Sequence, residues 1–254
     1  MNIADDLRLA LDPVAFARAA GIEPDTVWQS ALLRSTASRV LLNIHRQAGK
    51  SLMAALIGVH DAVYSPGSVV LILSPSLRQS GLLQRKVMQV YNAVGRPVTA
   101  TEESALQLTL ANGSRIVALP SQEGTVRGFS DVTRLILDEA SRIPDELYYA
   151  TRPMLAVSGG RLLAMTTPWG KRGFFHHEWA EGGDDWQRVE VPASMCPRIP
   201  ESFLREEEQA LGPRWFRQEY CCQFSENSEQ IFAYDMLMRA VTPDVTPLFG
   251  GSHE

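Results

Sequence analysis

Residues 40–59, VLLNIHRQAGKSLMAALIGV, join an apolar run to a Gly-Lys-Ser turn and then to a second apolar run. The first run is nearly continuous in Val, Leu and Ile, which is typical of a strand buried on both faces, and the second has the composition of a buried helix. A tight turn that leads from a strand into a helix N-terminus favours anions, because its N–H groups are unpaired and the helix dipole is positive there. The stretch therefore predicts a phosphate-binding loop.

This loop departs from the full phosphate-binding pattern at one position. The pattern has a glycine five places before Gly49, where this chain has Ile44. The other elements are present: Gly49 lets the backbone approach a phosphate, Lys50 can reach the β- and γ-phosphates, and the Ser51 hydroxyl can bind Mg²⁺. Since a Gly-Lys-Ser tripeptide also occurs by chance on surface turns, the nucleotide hypothesis depends on features elsewhere in the chain.

Composition limits the classes of protein that the chain can represent. Its 254 residues, 45% hydrophobic and 21% charged, suffice for one large or two small domains. A net charge of −5 excludes nucleic-acid binding through bulk charge, so any DNA contact must be local. The N-terminus carries two Asp before its apolar residues and no run of about 18 apolar residues follows, which predicts a cytoplasmic protein without a membrane span.

Apolar and helical segments alternate along the chain. Strand-like runs lie at residues 39–45, 69–75, 133–139 and 161–168, and helical stretches lie at 50–62, 77–95 and 144–155. This alternation predicts an α/β fold with a mostly parallel sheet flanked by helices. Asn112-Gly113, between two alternating runs at 106–119, predicts a β-hairpin.

Helical sequences are expected at both ends. Asp12 is a candidate N-cap with Pro13 at the first helical position. Near the other end, helices are predicted at 200–212, 213–224 and 234–241. We therefore expect four parts, namely a helical segment (1–38), a phosphate-loop core (39–198), a helical lid or linker (199–242) and a tail (243–254).

An acidic pair ends the third apolar strand. In RLILDEAS, Asp138 can serve the Mg²⁺ shell, and Glu139 can orient and deprotonate a water molecule, as in a Walker B segment. The alternative is a solvated strand end that caps the next helix. Because the pair ends a buried strand at domain-scale distance from the loop, the functional interpretation is favoured.

Two further features are ambiguous when taken alone. Thr166 and Thr167 end the strand expected beside that of Asp138, at the edge of the sheet where ligands bind, and their hydroxyls can sense a phosphate or its water. The alternative is a Thr-Thr-Pro turn without a role. Gln29 follows Trp28 upstream of the loop, and its amide can pair with an adenine edge. In isolation, these two residues would be a core tryptophan and a surface glutamine.

Four segments together resemble the ATPase domain of the large terminase subunit, the DNA-packaging motor of tailed bacteriophages. They are residues 12–51, 125–155, 159–179 and 214–232, which follow the family order and extend over nearly the whole chain. The family loop typically runs Arg-Gln-x-Gly-Lys-Ser or Thr and often lacks the first glycine, so Ile44 is a family-type departure.

The resemblance implies roles for particular residues. Gln29 corresponds to the adenine-side residue, and the phosphate loop comprises Arg46, Gln47, Ala48, Gly49, Lys50 and Ser51. Asp138 and Glu139 correspond to the Walker B pair, with Ser51 and Asp138 as Mg²⁺ ligands. Thr166 and Thr167 resemble the motif that couples hydrolysis to DNA movement. Arg127 resembles the arginine presented to a neighbouring subunit's nucleotide, and the implied catalytic groups are Glu139, Arg127 and Arg46.

The resemblance also implies an activity and partners. It implies that the chain hydrolyses ATP with Mg²⁺ and moves double-stranded DNA into a procapsid. It also implies a homo-oligomeric ring, a pentamer by resemblance, that assembles on the portal protein and works with the small terminase subunit. The isolated chain would be a monomer, in the host cytoplasm and transiently at the procapsid. The family's nuclease domain would begin after residue 241 and is absent here, so we expect an excised domain or a naturally truncated or split subunit.

Other interpretations stay open at this point. A helicase shares the upstream glutamine and the acidic pair but needs a second RecA-like domain, and the residues after about 200 offer only helices and a tail. A nucleotide-binding assembly module without turnover is disfavoured because Lys50, Ser51 and Glu139 are all present. Adjacent His176 and His177 point to different helix faces and argue against a metal site. The basic clusters at 84–86 and 171–172 are interpreted as solvated surface.

Overall fold

The computed structural model describes residues 3–126 and 128–225. Its strands are β1 (Arg39–Ile44), β2 (Val69–Ser74), β3 (Ala100–Glu103), β4 (Gln107–Leu110), β5 (Arg115–Pro120), β6 (Arg134–Asp138), β7 (Arg161–Thr166) and β8 (Gln187–Val191). Its helices are α1 (Ile3–Leu11), α2 (Pro13–Ala19), α3 (Gln29–Arg34), α4 (Lys50–Tyr64), α5 (Leu77–Ala93), α6 (Glu123–Val126), α7 (Asp145–Thr151), α8 (Gly173–Glu181) and α9 (Glu201–Tyr220).

The strands form one eight-stranded sheet in the order β3-β4-β5-β2-β6-β7-β1-β8. In this order, each neighbouring pair from β5 across the sheet to β8 is parallel. The pairs β3–β4 and β4–β5 are antiparallel. The predicted α/β fold with a mostly parallel sheet is confirmed. The carboxyl ends of β6, β7 and β1 are neighbours at one edge of the sheet, which brings the loop after β1 close to the acidic pair at the end of β6.

The predicted hairpin is confirmed as β4 and β5. Gly113 in its turn has φ 82°, a left-handed conformation that glycine adopts without strain. The Asn112 amide donates to the Ala62 carbonyl at 2.8 Å, which ties the turn to the end of α4. Strand β3 was not predicted, because its sequence, ATEE, is short, polar and largely exposed.

The sheet separates two apolar layers. On one face, α4, α5 and the N-terminal helices pack against residues such as Leu42, Ile72 and Ile136. On the other face, α7 and α8 pack against the strand residues whose side chains point the opposite way, such as Leu41 and Leu71. Burial on both faces explains why β1, β2, β6 and β7 lack polar alternation.

The N-cap predicted at Asp12 is confirmed. Its side chain accepts from the Val14 N–H at 3.1 Å, and Pro13 occupies the first position of α2. The same carboxylate pairs with Arg34 at the end of α3. These contacts hold α2 and α3 together.

The two C-terminal helices predicted at 200–212 and 213–224 are confirmed. The element α9 consists of two helices that meet at a kink, because Gly212 has a non-helical backbone (φ 75°) and Pro213 follows it. The second helix ends at Tyr220, earlier than predicted. The helix predicted at 234–241 and the tail at 243–254 lie outside the described residues. No helix in the described part of the chain is long and apolar enough to cross a membrane.

Candidate nucleotide-binding site

The loop between β1 and α4 has the backbone of an anion cradle. Gln47 (φ 61°) and Gly49 (φ 98°) adopt left-handed conformations, and α4 begins directly afterwards at Lys50. A Cβ on residue 49 would lie 3.2 Å from Nε2 of Gln29, so glycine suits both the conformation and the space. The turn therefore leads directly into the unpaired N–H groups of the α4 N-terminus.

Lys50 lies at the centre of the site. Its side chain is only 7% exposed, and Nζ donates to Thr167 Oγ1 at 3.0 Å and to the His45 carbonyl at 3.3 Å. Burial lowers the pKa of this ammonium group, while nearby Glu139 and Asp138 oppose that shift. Lys50 is thus a positioned cation at the junction of the loop and the end of β7.

A cleft of about 760 Å³ opens beside the loop. Its wall brings together predicted residues from two places in the sequence, namely Arg46, Gln47, Gly49, Lys50 and Ser51 with Glu139. It also contains residues that were not predicted as members of the site: Leu52, Pro75, Gln79, Lys86 and Arg142. Lys86 was interpreted as solvated surface. Lys86 nevertheless lines the cleft, because α5 packs on the same face of the sheet as α4. The sequence alone does not specify that packing.

Asp138 and Glu139 occupy different environments. Asp138 ends β6 and is 6% exposed, and its Oδ1 has no hydrogen-bond partner among the described residues. Burial, with a smaller contribution from the Glu139 charge, raises the pKa of Asp138 to about 7. Glu139 leaves the strand in a left-handed conformation (φ 51°) and lines the cleft. The pair therefore provides one buried carboxyl group and one that faces the cleft.

The donor set fits a hard divalent cation. The unpaired oxygen of Asp138 and the Ser51 hydroxyl are oxygen ligands of the kind that Mg²⁺ prefers. The described residues contain no group of three or more His, Cys, Asp or Glu side chains that could hold a metal. A magnesium ion here would thus need oxygens from a bound phosphate and from water, as is usual for Mg²⁺ in nucleotide sites.

Thr166 and Thr167 are placed differently. The Thr167 hydroxyl contacts Lys50, as described above. The Thr166 hydroxyl accepts from the Ser141 N–H at 3.3 Å and lies 2.8 Å from the Thr167 carbonyl, so it links β7 to the turn after β6. Thr166 does not line the cleft, and only Thr167 reaches a residue that does.

Gln29 is buried, so the alternative of a surface glutamine is wrong. Its Nε2 donates to the Ala48 carbonyl at 3.3 Å, and its Oε1 accepts from the Asp25 N–H at 3.0 Å. Gln29 therefore joins the N-terminal helices to the phosphate loop, and it does not line the cleft.

Arg46 connects the loop to α9. Its guanidinium forms an ion pair with the carboxylate of Glu219, and the backbone N–H of Arg46 donates to the Glu219 backbone carbonyl at 3.4 Å. Arg46 also lines the cleft. The remaining predicted site residue, Arg127, lies outside the described residues.

The raised pKa of Asp138 predicts an effect on stability. Between about pH 4 and 7 the folded protein holds this proton and the unfolded chain releases it, so the free energy of unfolding falls as the pH rises through that window. Asp138→Asn removes the ionisation. We expect the variant to gain about 2–3 kcal/mol over wild type at pH 8, relative to their difference at pH 5, since one pKa unit corresponds to about 1.4 kcal/mol.

Urea unfolding of both proteins at the two pH values, without nucleotide or Mg²⁺, measures this difference. Asp145→Asn provides a control outside the cleft for the effect of losing one carboxylate. An equal difference between wild type and Asp138→Asn at pH 5 and pH 8 would contradict the prediction.

The fold and the site together define a class of protein. The P-loop nucleoside triphosphatase fold is characterised by three features that this chain combines. They are a mostly parallel sheet, a Gly-Lys-Ser loop after β1, and an acidic pair at the end of β6, with β7 between these two strands. A family model described as "Terminase large subunit, T4likevirus-type, N-terminal" matches residues 41–239. The chain belongs to this terminase large subunit family.

Individual relatives agree with this assignment. The terminase large subunit of Thermus virus P23-45 is 27% identical over 255 residues, which cover 86% of this chain and 52% of the relative. The solved ATPase domain of the Thermus phage P74-26 large terminase has a TM-score of 0.72 at 24% identity, covering 82% of this chain and 97% of that one. The large terminase of the thermophilic bacteriophage D6E in complex with ADP has a TM-score of 0.60 at 11% identity, covering 85% and 53%.

At these identities the solved structures establish the fold alone. The chain spans about half the length of the first curated relative, 52% of it.

Proposed function

We propose that this chain is the ATP-hydrolysing motor domain of a viral DNA-packaging terminase. The observation that carries the proposal is the placement of Lys50, whose Nζ bonds to Thr167 while Glu139 lines the same cleft as the loop. A buried cation at a helix N-terminus suits the phosphates, and a carboxylate across the cleft suits the water that attacks them. The proposed core is residues 39–198, with helical parts at 1–38 and 199–242 and a tail at 243–254.

Each loop residue has a distinct part in this proposal. N–H groups of residues 47–51 and the Lys50 ammonium bind the β- and γ-phosphates. Ser51 and Asp138 would hold Mg²⁺, which would neutralise charge on the phosphates. Glu139 orients the attacking water and accepts its proton.

Adenosine triphosphate is the proposed nucleotide. Gln29 is the proposed adenine-side residue, and its contact with the Ala48 carbonyl of the loop supports a base bound near its amide. The D6E large terminase, which shares this fold, was solved in complex with ADP, which supports an adenine nucleotide.

A route from the cleft to the C-terminal helical region runs through residues 167–169. Thr167 contacts Lys50, and the Trp169 ring lies 4.0 Å from the guanidinium carbon of Arg142, which lines the cleft. The Trp169 carbonyl accepts from the Ser225 hydroxyl at 2.9 Å, just after α9. We propose that this segment, with Thr166 and Thr167, couples hydrolysis to movement of the chain that follows.

The proposed partners follow from family membership. They are double-stranded DNA, the portal protein and the small terminase subunit, with copies of the motor arranged as a ring, a pentamer in this proposal. The isolated chain would be a monomer. Its place of action would be the cytoplasm of the bacterial host and, transiently, the procapsid.

A phosphate-release assay tests the enzymatic proposal. We expect Mg²⁺-dependent release of phosphate from ATP, and no separation of strands in a parallel strand-displacement assay with a partial duplex. ATP binding without phosphate release, in the presence of Mg²⁺ and across a range of protein concentrations, would favour a binding module instead. Reproducible strand separation would favour a helicase.

A further inference from the structure

A second cavity lies at the edge of the sheet opposite the phosphate loop. Its volume is about 550 Å³, which is in the range of small-molecule sites in proteins. Arg134 and Arg161, the first residues of β6 and β7, line it together with His60 and Asp61 near the end of α4. Asp61 lies about 16 Å beyond Lys50 along the axis of that helix, so this cavity is separate from the nucleotide cleft.

The two strand arginines lie side by side. Because β6 and β7 are parallel and Arg134 is in register with Arg161, both side chains point to the same face of the sheet. Arg134 is only 7% exposed, and Arg161 is half-buried. Burial and the neighbouring Arg134 charge lower the pKa of Arg161, but a guanidinium stays charged at neutral pH. Like charges at opposed positions repel each other, so the pair needs compensating negative charge.

The carboxylates in the wall supply only part of that charge. Asp61 pairs with Nε of Arg134 at 2.7 Å, and Asp12 pairs with Arg34, the third arginine of the wall. Arg161 instead donates to two backbone carbonyls between α3 and β1. The wall therefore combines three guanidinium groups with two carboxylates, which leaves one positive charge uncompensated.

The strand arginines also have unused hydrogen-bond donors. Within residues 3–126 and 128–225, Nη1 and Nη2 of Arg134 have no hydrogen-bond partner, and neither has Nη1 of Arg161. Burial lowers the pKa of His60, so this neighbouring ring is uncharged near neutral pH and leaves the charge balance unchanged. A guanidinium that is nine-tenths buried at a cavity wall, with both terminal nitrogens unpaired, points to an anionic ligand.

We propose that this cavity binds a small organic phosphomonoester. Three unpaired terminal nitrogens on two neighbouring guanidinium groups match the three charged oxygens of a phosphoryl group better than the two of a carboxylate. Apolar side chains in the same wall, namely Leu32, Leu33 and Ile57, suit an organic group attached to the phosphate. The site goes beyond the proposed function, because it does not depend on ATP binding at the loop.

Thermal unfolding in the presence of phenyl phosphate tests this proposal, with benzoate as the carboxylate of the same ring. A ligand that binds only the folded chain raises the midpoint of unfolding, and the size of the rise gives its affinity. We expect phenyl phosphate to raise the midpoint of wild type and of Lys50→Ala, in which the loop is disabled, and benzoate to bind at least about ten-fold more weakly. When Arg161→Met is added to Lys50→Ala, phenyl phosphate should bind about ten- to hundred-fold more weakly, the usual effect of losing a hydrogen bond to a charged group.

Arg152→Met makes the same change at an exposed arginine that does not line this cavity, and it should keep the response of its parent. The unfolding transition itself shows whether each variant is folded. If Lys50→Ala lacks a transition, Arg161→Met and Arg152→Met are compared in wild type. If Arg161→Met lacks one, Arg161→Lys, which keeps the charge but loses the planar fork, should give a weakened response.

The opposite results are equally specific. A response that is lost in Lys50→Ala but kept in Arg161→Met would assign the phosphate to the loop and overturn the cavity site. No response of wild type to phenyl phosphate, or equal responses to phenyl phosphate and benzoate, would also overturn it. None of these measurements involves ATP turnover, so failure of this inference and failure of the proposed function are distinguishable.

Discussion

A chain carrying Lys50→Ala is expected to lose tight ATP binding, whereas Glu139→Gln is expected to bind ATP normally and to hydrolyse it about 10²–10⁴-fold more slowly. The two residues line the same cleft but act on different species. Lys50 supplies the charge that pairs with the phosphates, so its loss weakens the bound ground state as well as the transition state. Glu139 acts on the attacking water, so its loss leaves ground-state binding intact.

The structure gives a reason to expect this separation. Lys50 Nζ lies between the His45 carbonyl and Thr167, in the loop that would hold the phosphates. Glu139 follows the end of β6, across β7 from the loop strand β1. Glutamine preserves the size of the Glu139 side chain and some of its hydrogen bonds but cannot accept the proton from water at neutral pH.

Titration of a fluorescent ATP analogue and a phosphate-release assay would measure binding and turnover separately. Lys171→Ala and Glu146→Gln change an exposed lysine and an exposed glutamate outside the cleft and serve as matched controls. Because Lys50→Ala also removes hydrogen bonds to buried groups, circular dichroism should accompany it. Normal turnover by Glu139→Gln would remove Glu139 from the mechanism, and normal ATP binding by folded Lys50→Ala would do the same for Lys50.

Replacement of Arg127 by alanine is expected to leave ATP binding intact and to slow hydrolysis by about 10³–10⁵-fold, the range for an arginine supplied by a neighbouring subunit. Arg127 lies outside the described residues, so this prediction rests on its sequence context and on the family. It falls between buried Val126 and exposed Gly128, a short distance before β6 and the acidic pair. An arginine that pairs locally, for example with Asp131, is the alternative.

A mixing experiment distinguishes the two cases. Arg127→Ala has an intact phosphate loop, and Lys50→Ala still offers Arg127, so their mixture should regain activity at interfaces between the two variants. The specific activity of wild type should also rise with protein concentration, because dilution separates the subunits. A flat specific activity, together with no recovery on mixing under conditions where wild type associates, would place the action of Arg127 within its own subunit or in its fold.

Local sequence was sufficient for several parts of the fold. The strands β1, β2, β6 and β7 are buried on both faces, so each appears as a continuous apolar run within one or two residues of its prediction. The hairpin was predictable because its turn needs a residue with positive φ and Asn112-Gly113 supplies one. Strand β3 was not predictable, since it is an exposed polar edge whose pairing with β4 is decided by its neighbour.

The candidate site was partly predictable for a similar reason. Gly49, Lys50 and Ser51 are consecutive, and Asp138 and Glu139 are adjacent, so each group forms a readable motif with its own chemistry. Gln79, Lys86 and Arg142 belong to no motif of this kind. They line the cleft because of how their elements pack beside the loop.

By itself, the sequence determined the phosphate loop, the acidic pair and the parallel sheet, because these depend on local backbone preferences and on side-chain chemistry. The tertiary structure alone decided that Lys50 bonds to Thr167, 117 residues further along the chain, and that β7 lies between β1 and β6. It also decided the environment of Asp138, because burial raises the pKa of that carboxyl group. Burial depends on which distant segments pack around a residue, and no short stretch of sequence contains that information.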